Sequence, residues 1–349
     1  GEGVLGGSQL DRAMRTGTAP RIDVLLAQRL AGAAGRGRRA VDLEWTDVDQ
    51  ITPWRFALAN AVGEPIPANL LDGADPYYER ITATAPMLPL AQRAAAADRA
   101  GREGILSSRA MVDLYSQIYA DENITGGPAE LAAQLREAYV GSDPQARISA
   151  MQTIWGGDVA ADYGRYVLTA YAAARVPASE DYLGNAPALL ASMLAAGLDR
   201  DAAAWGRVVD PGSAAWALVA LSAGGANRMA ADDAIDTFID DDGSSGQRRS
   251  QLLLAGLGGL GRISSGELNQ YAERVGLRLG RQTRWTRTIA RAAAVNNRAL
   301  VALLVGLGMQ GEGWERMTPL HLYYSVSALR RVGLEAEARM IAAEAIARG

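Results

Sequence analysis

The chain has 349 residues, of which 49% are hydrophobic and 21% charged, and this balance predicts a folded protein rather than a disordered one. It has no cysteine, no lysine and a single histidine, which excludes thiol chemistry, Schiff-base lysines and multi-histidine metal centres. A net charge of −4 disfavours general nucleic-acid binding, and no apolar run reaches the roughly 20 residues of a membrane span. We therefore assign no catalytic, cofactor-binding or metal-binding residue from the sequence.

Residues 1–90 differ in composition from the rest, since they hold seven of the 13 prolines. We interpret them as an irregular N-terminal region or cap. Residues 21–30 predict a short amphipathic helix, and residues 41–45 alternate like a strand or extended segment. Thr52-Pro53 is typical of a helix start, and that helix should run to about Val62. A first residue other than Met is expected for a processed form or a fragment.

Residues 91–349 predict one helical-repeat domain, because amphipathic segments follow one another with short connections. Such connections favour antiparallel hairpins. The predicted helices are 86–100, 107–120, 128–140, 144–155, 158–174, 186–196, 199–207, 213–222, 230–239, 246–258, 265–275, 283–294, 297–307, 319–331 and 335–347.

A Gly-Leu corner recurs between these helices, at Gly197-Leu198, Gly276-Leu277 and Gly333-Leu334. Glycine after a helix is typical of a left-handed C-cap, and paired helices with tight corners are typical of an α-solenoid. We predict an all-α protein, an α-solenoid of antiparallel hairpins that resembles tetratricopeptide repeats in general architecture only. A compact bundle or an α/α-toroid would leave similar marks in the sequence.

Two motifs have simpler structural interpretations. Residues 256–261 match G-x-G-x-x-G, but no strand precedes them, so a small-residue helix end is favoured over a dinucleotide site. Residues 240–242 form an aspartate run whose spacing fails the calcium-loop pattern, so we expect a solvated loop. Its charges should make it mobile unless Arg248 or Arg249 neutralises them.

The aromatic residues are skewed towards Tyr and Trp, with 12 Tyr, 7 Trp and only 2 Phe. Tyr and Trp combine an apolar ring with a polar group and are enriched at interfaces, although packing between helices explains many of them. A local Arg-rich patch lies near 281–291, while His321 is interpreted as structural. The candidate partner-binding residues are Tyr115, Tyr119, Tyr163, Tyr166, Arg284, Trp285, Trp314, Tyr323 and Tyr324.

Three hypotheses for function follow. The first is a non-enzymatic binding or scaffold protein that holds a protein or peptide on a helical-repeat surface, which is favoured because catalytic residue types are missing. The second is a glycan-acting hydrolase or lyase on an α/α scaffold, which would need only Asp and Glu as acid and base. The third is a self-assembling structural protein. The lack of Cys, the first residue and the Tyr/Trp content favour the bacterial periplasm or cell envelope over the cytoplasm.

Overall fold

The computed structural model describes residues 45, 48–62, 64–157, 162–224, 232–310, 314 and 317–349. Within these ranges all regular structure is helical and no strand occurs. The all-α prediction is therefore confirmed, and the packing of consecutive helices is consistent with the predicted solenoid of hairpins. The predicted helix of residues 21–30 lies outside the described residues, as does the predicted strand except for Trp45. The helix predicted after Thr52 is present at Pro53–Val62.

The chain divides into two compact units, residues 1–134 and 135–349. The predicted domain boundary near residue 90 stays a prediction. The helices of the first unit are α1 (Pro53–Val62), α2 (Ala68–Leu71), α3 (Pro76–Thr84), α4 (Leu90–Arg102) and α5 (Ser108–Ala120). Helix α6 (Gly127–Val140) contains the boundary between the units.

The described part of the second unit contains twelve further α-helices, and the candidate site lies within it. They are α7 (Pro144–Trp155), α8 (Tyr163–Ala173), α9 (Ala186–Ala195), α10 (Asp199–Ala203), α11 (Ala214–Ser222), α12 (Asp232–Asp240), α13 (Arg248–Leu260), α14 (Ser265–Arg274), α15 (Arg284–Ala294), α16 (Arg298–Gly308), α17 (Pro319–Arg331) and α18 (Glu335–Arg348).

The predicted Gly-Leu corners have one geometry. Gly197, Gly276 and Gly333 all have φ between +68° and +76°, a conformation that glycine adopts without steric cost. At each corner the next residue donates its N–H to the carbonyl five residues back, as Leu334 does to Leu329 at 2.9 Å. This is the Schellman arrangement, which satisfies helix-end carbonyls and turns the chain sharply.

Helix α13 occupies the centre of the second unit, where it contacts α11, α14, α17 and α18. The glycines of its G-x-G-x-x-G motif make these approaches possible. A Cβ on Gly256 would lie 2.8 Å from Leu221, and one on Gly259 would lie 2.9 Å from Val326. The motif is thus part of a helix with glycine faces, as expected, and the described residues provide no preceding strand.

Two of the three aspartates in the run have partners, but these are not the residues we expected. Arg274 bonds Asp236 and Asp240 of α12, at 2.5 Å each. Asp242 accepts hydrogen bonds from the backbone and hydroxyl of Ser250. Arg248 instead donates to carbonyls of residues 314 and 317. Neither Arg248 nor Arg249 pairs with the run; instead Asp242 accepts the N–H of Ser250 in the first turn of α13, where the helix dipole favours an anion.

Candidate functional site

The hairpin of α15 and α16 presents a surface that the rest of the described unit leaves uncovered. Thr283 and Thr286 form a capping box that begins α15. Asn296, at φ +53°, provides the left-handed residue of the corner, and Asn297 accepts the N–H of Leu300 at 3.0 Å to begin α16. These local signals fix a short antiparallel pair, and both helices pack against α17.

Trp285 holds this hairpin in place. Its indole Nε1 donates to the carbonyl of Leu304 in α16 at 2.9 Å, and its ring lies 4.8 Å from the ring of His321 in α17. A Cβ on Gly308 would lie 2.8 Å from the same indole, so the glycine lets the ring pack closely. Trp285 therefore positions α16 and faces inward, although the sequence made it a candidate contact for a partner.

Helix α16 buries only one side of its apolar surface. Val301 and Val305 are buried, whereas Leu300, Leu303 and Leu307 are 38%, 71% and 57% exposed. At about 100° per residue these three leucines lie within roughly 60° of one another, so they form one stripe. An exposed apolar stripe on a folded unit is typical of an interaction site.

The exposed face of α15 is basic. Arg284, Arg287 and Arg291 are exposed, at the i, i+3, i+7 spacing that places them in one row. Residues 275–311 include no Asp or Glu at all, although the whole chain has a net charge of −4. Among the residues that the structure describes, none of these three guanidinium groups forms an ion pair.

These two faces belong to one surface, because α15 and α16 both turn their buried sides towards α17. Val295, which is 69% exposed, lies at the corner that joins them. We call this the Arg–Leu surface, and its members are Arg284, Arg287, Arg291, Val295, Leu300, Leu303 and Leu307. Covering the exposed parts of its four apolar side chains would contribute about 4–7 kcal/mol, before the cost of association.

Three other predicted residues meet at a second location. The guanidinium of Arg348 lies 4.4 Å from the ring centre of Tyr163 and 5.4 Å from that of Trp314. Tyr166 packs 6.2 Å from Tyr163. Glu344 accepts a bond from Arg348 at 2.6 Å, which closes the cluster.

Burial dominates the electrostatics of this second cluster. It raises the pKa of Glu344, against the opposing effects of Arg348 and Trp314. It also raises the pKa of Tyr163 well above the usual value. The Arg348 guanidinium already contacts the rings of Tyr163 and Trp314 and the carboxylate of Glu344. We therefore interpret the cluster as internal packing rather than as a binding site for a partner.

A cavity of about 400 Å³ adjoins Tyr166. Its lining mixes apolar residues such as Leu218, Phe238 and Ile346 with the charged residues Asp241, Asp242 and Arg249. Arg249 donates to the carbonyl of Gly349, and Asp242 accepts from serines. Two of the three charged groups are thus already engaged by the protein.

The remaining candidates are dispersed. Tyr115 is 2% exposed in the core of the first unit, so it is unavailable to a partner in this conformation, whereas Tyr119 is 51% exposed. Tyr323 and Tyr324 are half-buried on α17, with their rings 5.5 Å apart and nearly perpendicular. Arg284 is the one predicted residue that lies on the Arg–Leu surface.

His321 has a structural environment. Its Nδ1 lies 2.7 Å from the hydroxyl of Thr318, the residue that caps α17, and its ring packs on Trp285. Burial lowers its pKa, so the folded state favours the neutral ring. Within the described ranges, no group of three or more His, Asp or Glu side chains could hold a metal ion. None of the helices described is long and apolar enough to cross a membrane.

Beyond the Arg-rich patch near 281–291, the sequence contains a further signal for the Arg–Leu surface. Residues 275–311 lack acidic side chains, and their second half is the apolar run of α16. Either feature alone is common in folded proteins. Their combination in consecutive helices, an arginine row without acidic residues followed by a leucine-rich helix, indicates a surface for interaction. Comparison with protein-family models, with curated proteins and with solved structures found no match to this chain.

Proposed function

We propose that this protein is a non-enzymatic binding protein that holds another protein on the Arg–Leu surface. The observation that carries the proposal is the exposure of Leu303 and Leu307 on a helix whose other face is well packed. Isolated exposed leucines are ordinary, but leucines aligned along two turns beside a basic row form a patch. Interfaces combine such an apolar centre with polar residues at the rim.

The position of the surface supports this function. The hairpin makes its main contacts with α17, so its outer faces are not needed for the packing of α13 with its neighbours. Trp285 anchors α16 through its bond to Leu304 and its close packing on Gly308, and a helix held in this way loses less entropy on binding than a free one. The surface is therefore both dispensable for the core and pre-organised for a partner.

The experiment is photo-crosslinking in the native cell. A photo-reactive amino acid replaces Leu303, which is 71% exposed, and a matched protein carries it at exposed Glu180, far away in sequence. We expect a discrete protein adduct from position 303 and none from position 180. A further substitution of both Leu300 and Leu307 by Asp should abolish the adduct, because charges replace the apolar contact.

Three results would contradict the proposal: the same adducts from both positions, no protein adduct from position 303, or adducts that persist in the doubly substituted protein. Circular dichroism and urea unfolding of each variant provide the control for folding. Leu303, Leu307 and Glu180 are well exposed, so we expect substitutions there to change the free energy of unfolding by no more than about 0.5 kcal/mol each. Leu300 is 38% exposed, so its replacement should add a loss of about 1–2 kcal/mol in the doubly substituted protein.

A further inference from the structure

We infer that the occupant of the Arg–Leu surface is an amphipathic α-helix of another protein, with an apolar stripe flanked by carboxylates. This inference rests on the proposed function and specifies the chemistry of the partner. It is carried by three features of the hairpin: the shape of α16, the charge of α15 and the lack of exposed aromatic rings on α16.

The shape of α16 suits a helix. Ala299, Ala302 and Gly306 are exposed and repeat at spacings of three and four residues, beside the ridge of leucines. A Cβ on Gly306 would meet no atom within 4 Å, so the space above it is open. The leucines form a ridge and the small residues beside them form a groove, and a second helix packs its own side chains into such a groove.

The charge of α15 selects an acidic flank. Arg284, Arg287 and Arg291 are exposed at helical spacing and form no ion pair with any described residue. A partner helix over the leucines would bring its flanking side chains to this row. Carboxylates there gain attraction and bidentate hydrogen bonds, whereas Lys or Arg would be repelled.

A second copy of the chain fits less well. Residues 275–311 contain no carboxylate, so a hairpin that pairs with its own copy offers none to the arginines. In an antiparallel two-fold pairing the two arginine rows would lie on the same side. Like charges placed together across an interface disfavour that complex.

An anionic membrane surface also fits less well. Helices that lie in the membrane interface commonly insert Trp or Phe among their apolar residues. The exposed residues of α16 are Leu, Ala, Gly and Arg298, and the nearby Trp285 is turned inward to Leu304. The leucine stripe is also narrow, as in helix pairs rather than in membrane-bound helices.

The test uses a fluorescent helical peptide with Leu at i, i+3, i+7 and i+10 and Glu on both flanks. A matched peptide carries Lys in place of every Glu. We expect the acidic peptide to bind the full chain at least about tenfold more tightly than the lysine peptide by fluorescence anisotropy, and salt to reduce the difference. Leu303→Ser should weaken binding of the acidic peptide by about tenfold or more.

A charge swap makes the test specific. The double substitution Arg287→Glu and Arg291→Glu should reverse the preference, so that the lysine peptide binds more tightly. The variant has exposed substitutions only, and circular dichroism checks its fold. A loss of binding to both peptides without reversal would contradict the acidic flank, as would equal binding of both peptides by the unchanged protein.

Other occupants are outcomes that overturn the inference. Binding to phosphatidylglycerol vesicles that depends on Leu303, without peptide binding, would assign the surface to a membrane. Concentration-dependent dimers in sedimentation that are lost on Leu303→Asp would assign it to a second copy. If position 303 gives a protein adduct in cells but neither peptide binds, the helix inference fails while the proposed function stands. If no protein adduct forms, the proposed function itself fails.

Discussion

Arg262 and Arg339 both donate hydrogen bonds to the carbonyl groups at the end of α11. Arg262 bonds the carbonyls of Ala220 and Ala223, and Arg339 bonds that of Ser222. A helix C-terminus carries partial negative charge, so two guanidinium groups are stabilising there. Holding two positive charges together here is unfavourable, and this shows in the pKa of Arg262. Burial is the main cause that lowers this pKa to about 10, and the nearby charge of Arg339 is the second.

Replacement of Arg339 by Met should therefore destabilise the second unit. It removes the bond to Ser222 and a 2.8 Å ion pair with Asp199, which stays partly exposed. We expect a loss of about 2–4 kcal/mol in the free energy of unfolding, measured by urea denaturation. Arg331→Met, an exposed position one helix earlier, should change it by no more than about 0.5 kcal/mol. Equal losses in the two variants would refute the assigned role.

Gly259→Ala should destabilise the protein by about 1–3 kcal/mol, although alanine favours helices over glycine by up to about 1 kcal/mol. The added Cβ would lie 2.9 Å from Val326 and 3.1 Å from the backbone oxygen of Tyr323, which cannot rotate away. The matched control is Gly306→Ala, also inside a helix but with open space, and it should stabilise by about 0.5–1 kcal/mol. Thermal unfolding compares the two, and a shift of the same sign in both would contradict the packing argument.

Asp242→Ala should lower the free energy of unfolding by about 1–2 kcal/mol, since it removes the carboxylate that accepts an N–H in the first turn of α13. The carboxylate accepts the N–H of Ser250 at 2.8 Å and that of Ser244 at 2.9 Å. Burial alone would raise its pKa, but the serine hydrogen bonds outweigh burial and lower it. Its stabilisation is present above the unfolded pKa of 3.8 and is lost as pH falls through the lower folded pKa.

The measurement for Asp242 is urea unfolding at pH 7 and at a series of acidic pH values. The neighbouring exposed Asp241, replaced by Ala, provides the control and should change the free energy of unfolding at pH 7 by no more than about 0.5 kcal/mol. A difference between Asp242→Ala and the unchanged protein that fails to shrink on acidification would argue against this role of the carboxylate.

His321 should make the free energy of unfolding depend on pH nearer to neutrality, between pH 7.5 and pH 5. Burial lowers its pKa from 6.5, so the folded state prefers the neutral ring. That contribution is present above pH 6.5 and is lost as pH falls through the folded pKa. The unfolding free energy of the unchanged protein minus that of His321→Gln should decrease between pH 7.5 and pH 5. A difference that is flat or that increases on acidification would contradict this environment.

Local signals predicted the helices well. Thr318-Pro319 and Gly333 mark the bounds of α17 to within a residue, because caps and left-handed corners are determined by neighbouring residues. The corner at Asn296 was not predicted as such. It uses the same turn without glycine, and asparagine tolerates this conformation well enough to replace it.

The sequence indicated the arginine part of the candidate site, through Arg284 and the Arg-rich patch near 281–291, but not its leucine stripe, for a physical reason. Leu303 and Val305 are equally apolar in sequence, and helical periodicity shows that they face different ways without showing which side is covered. That depends on contacts with α17, far along the chain. The contact of Arg348 with Tyr163 is likewise long-range, so tyrosine content could suggest an interface but not show that an arginine already fills it.

The hairpin that carries the Arg–Leu surface lies between two helices that already touch. Helices α13 and α17 pack directly against each other, and the segment between them leaves that contact and returns to it. Substitutions of the outer residues of α15 and α16 would leave unchanged the close packing of α13 around Gly256 and Gly259. Selection could therefore change the specificity of the proposed binding surface by altering this hairpin alone, while the remainder of the second unit is inherited intact.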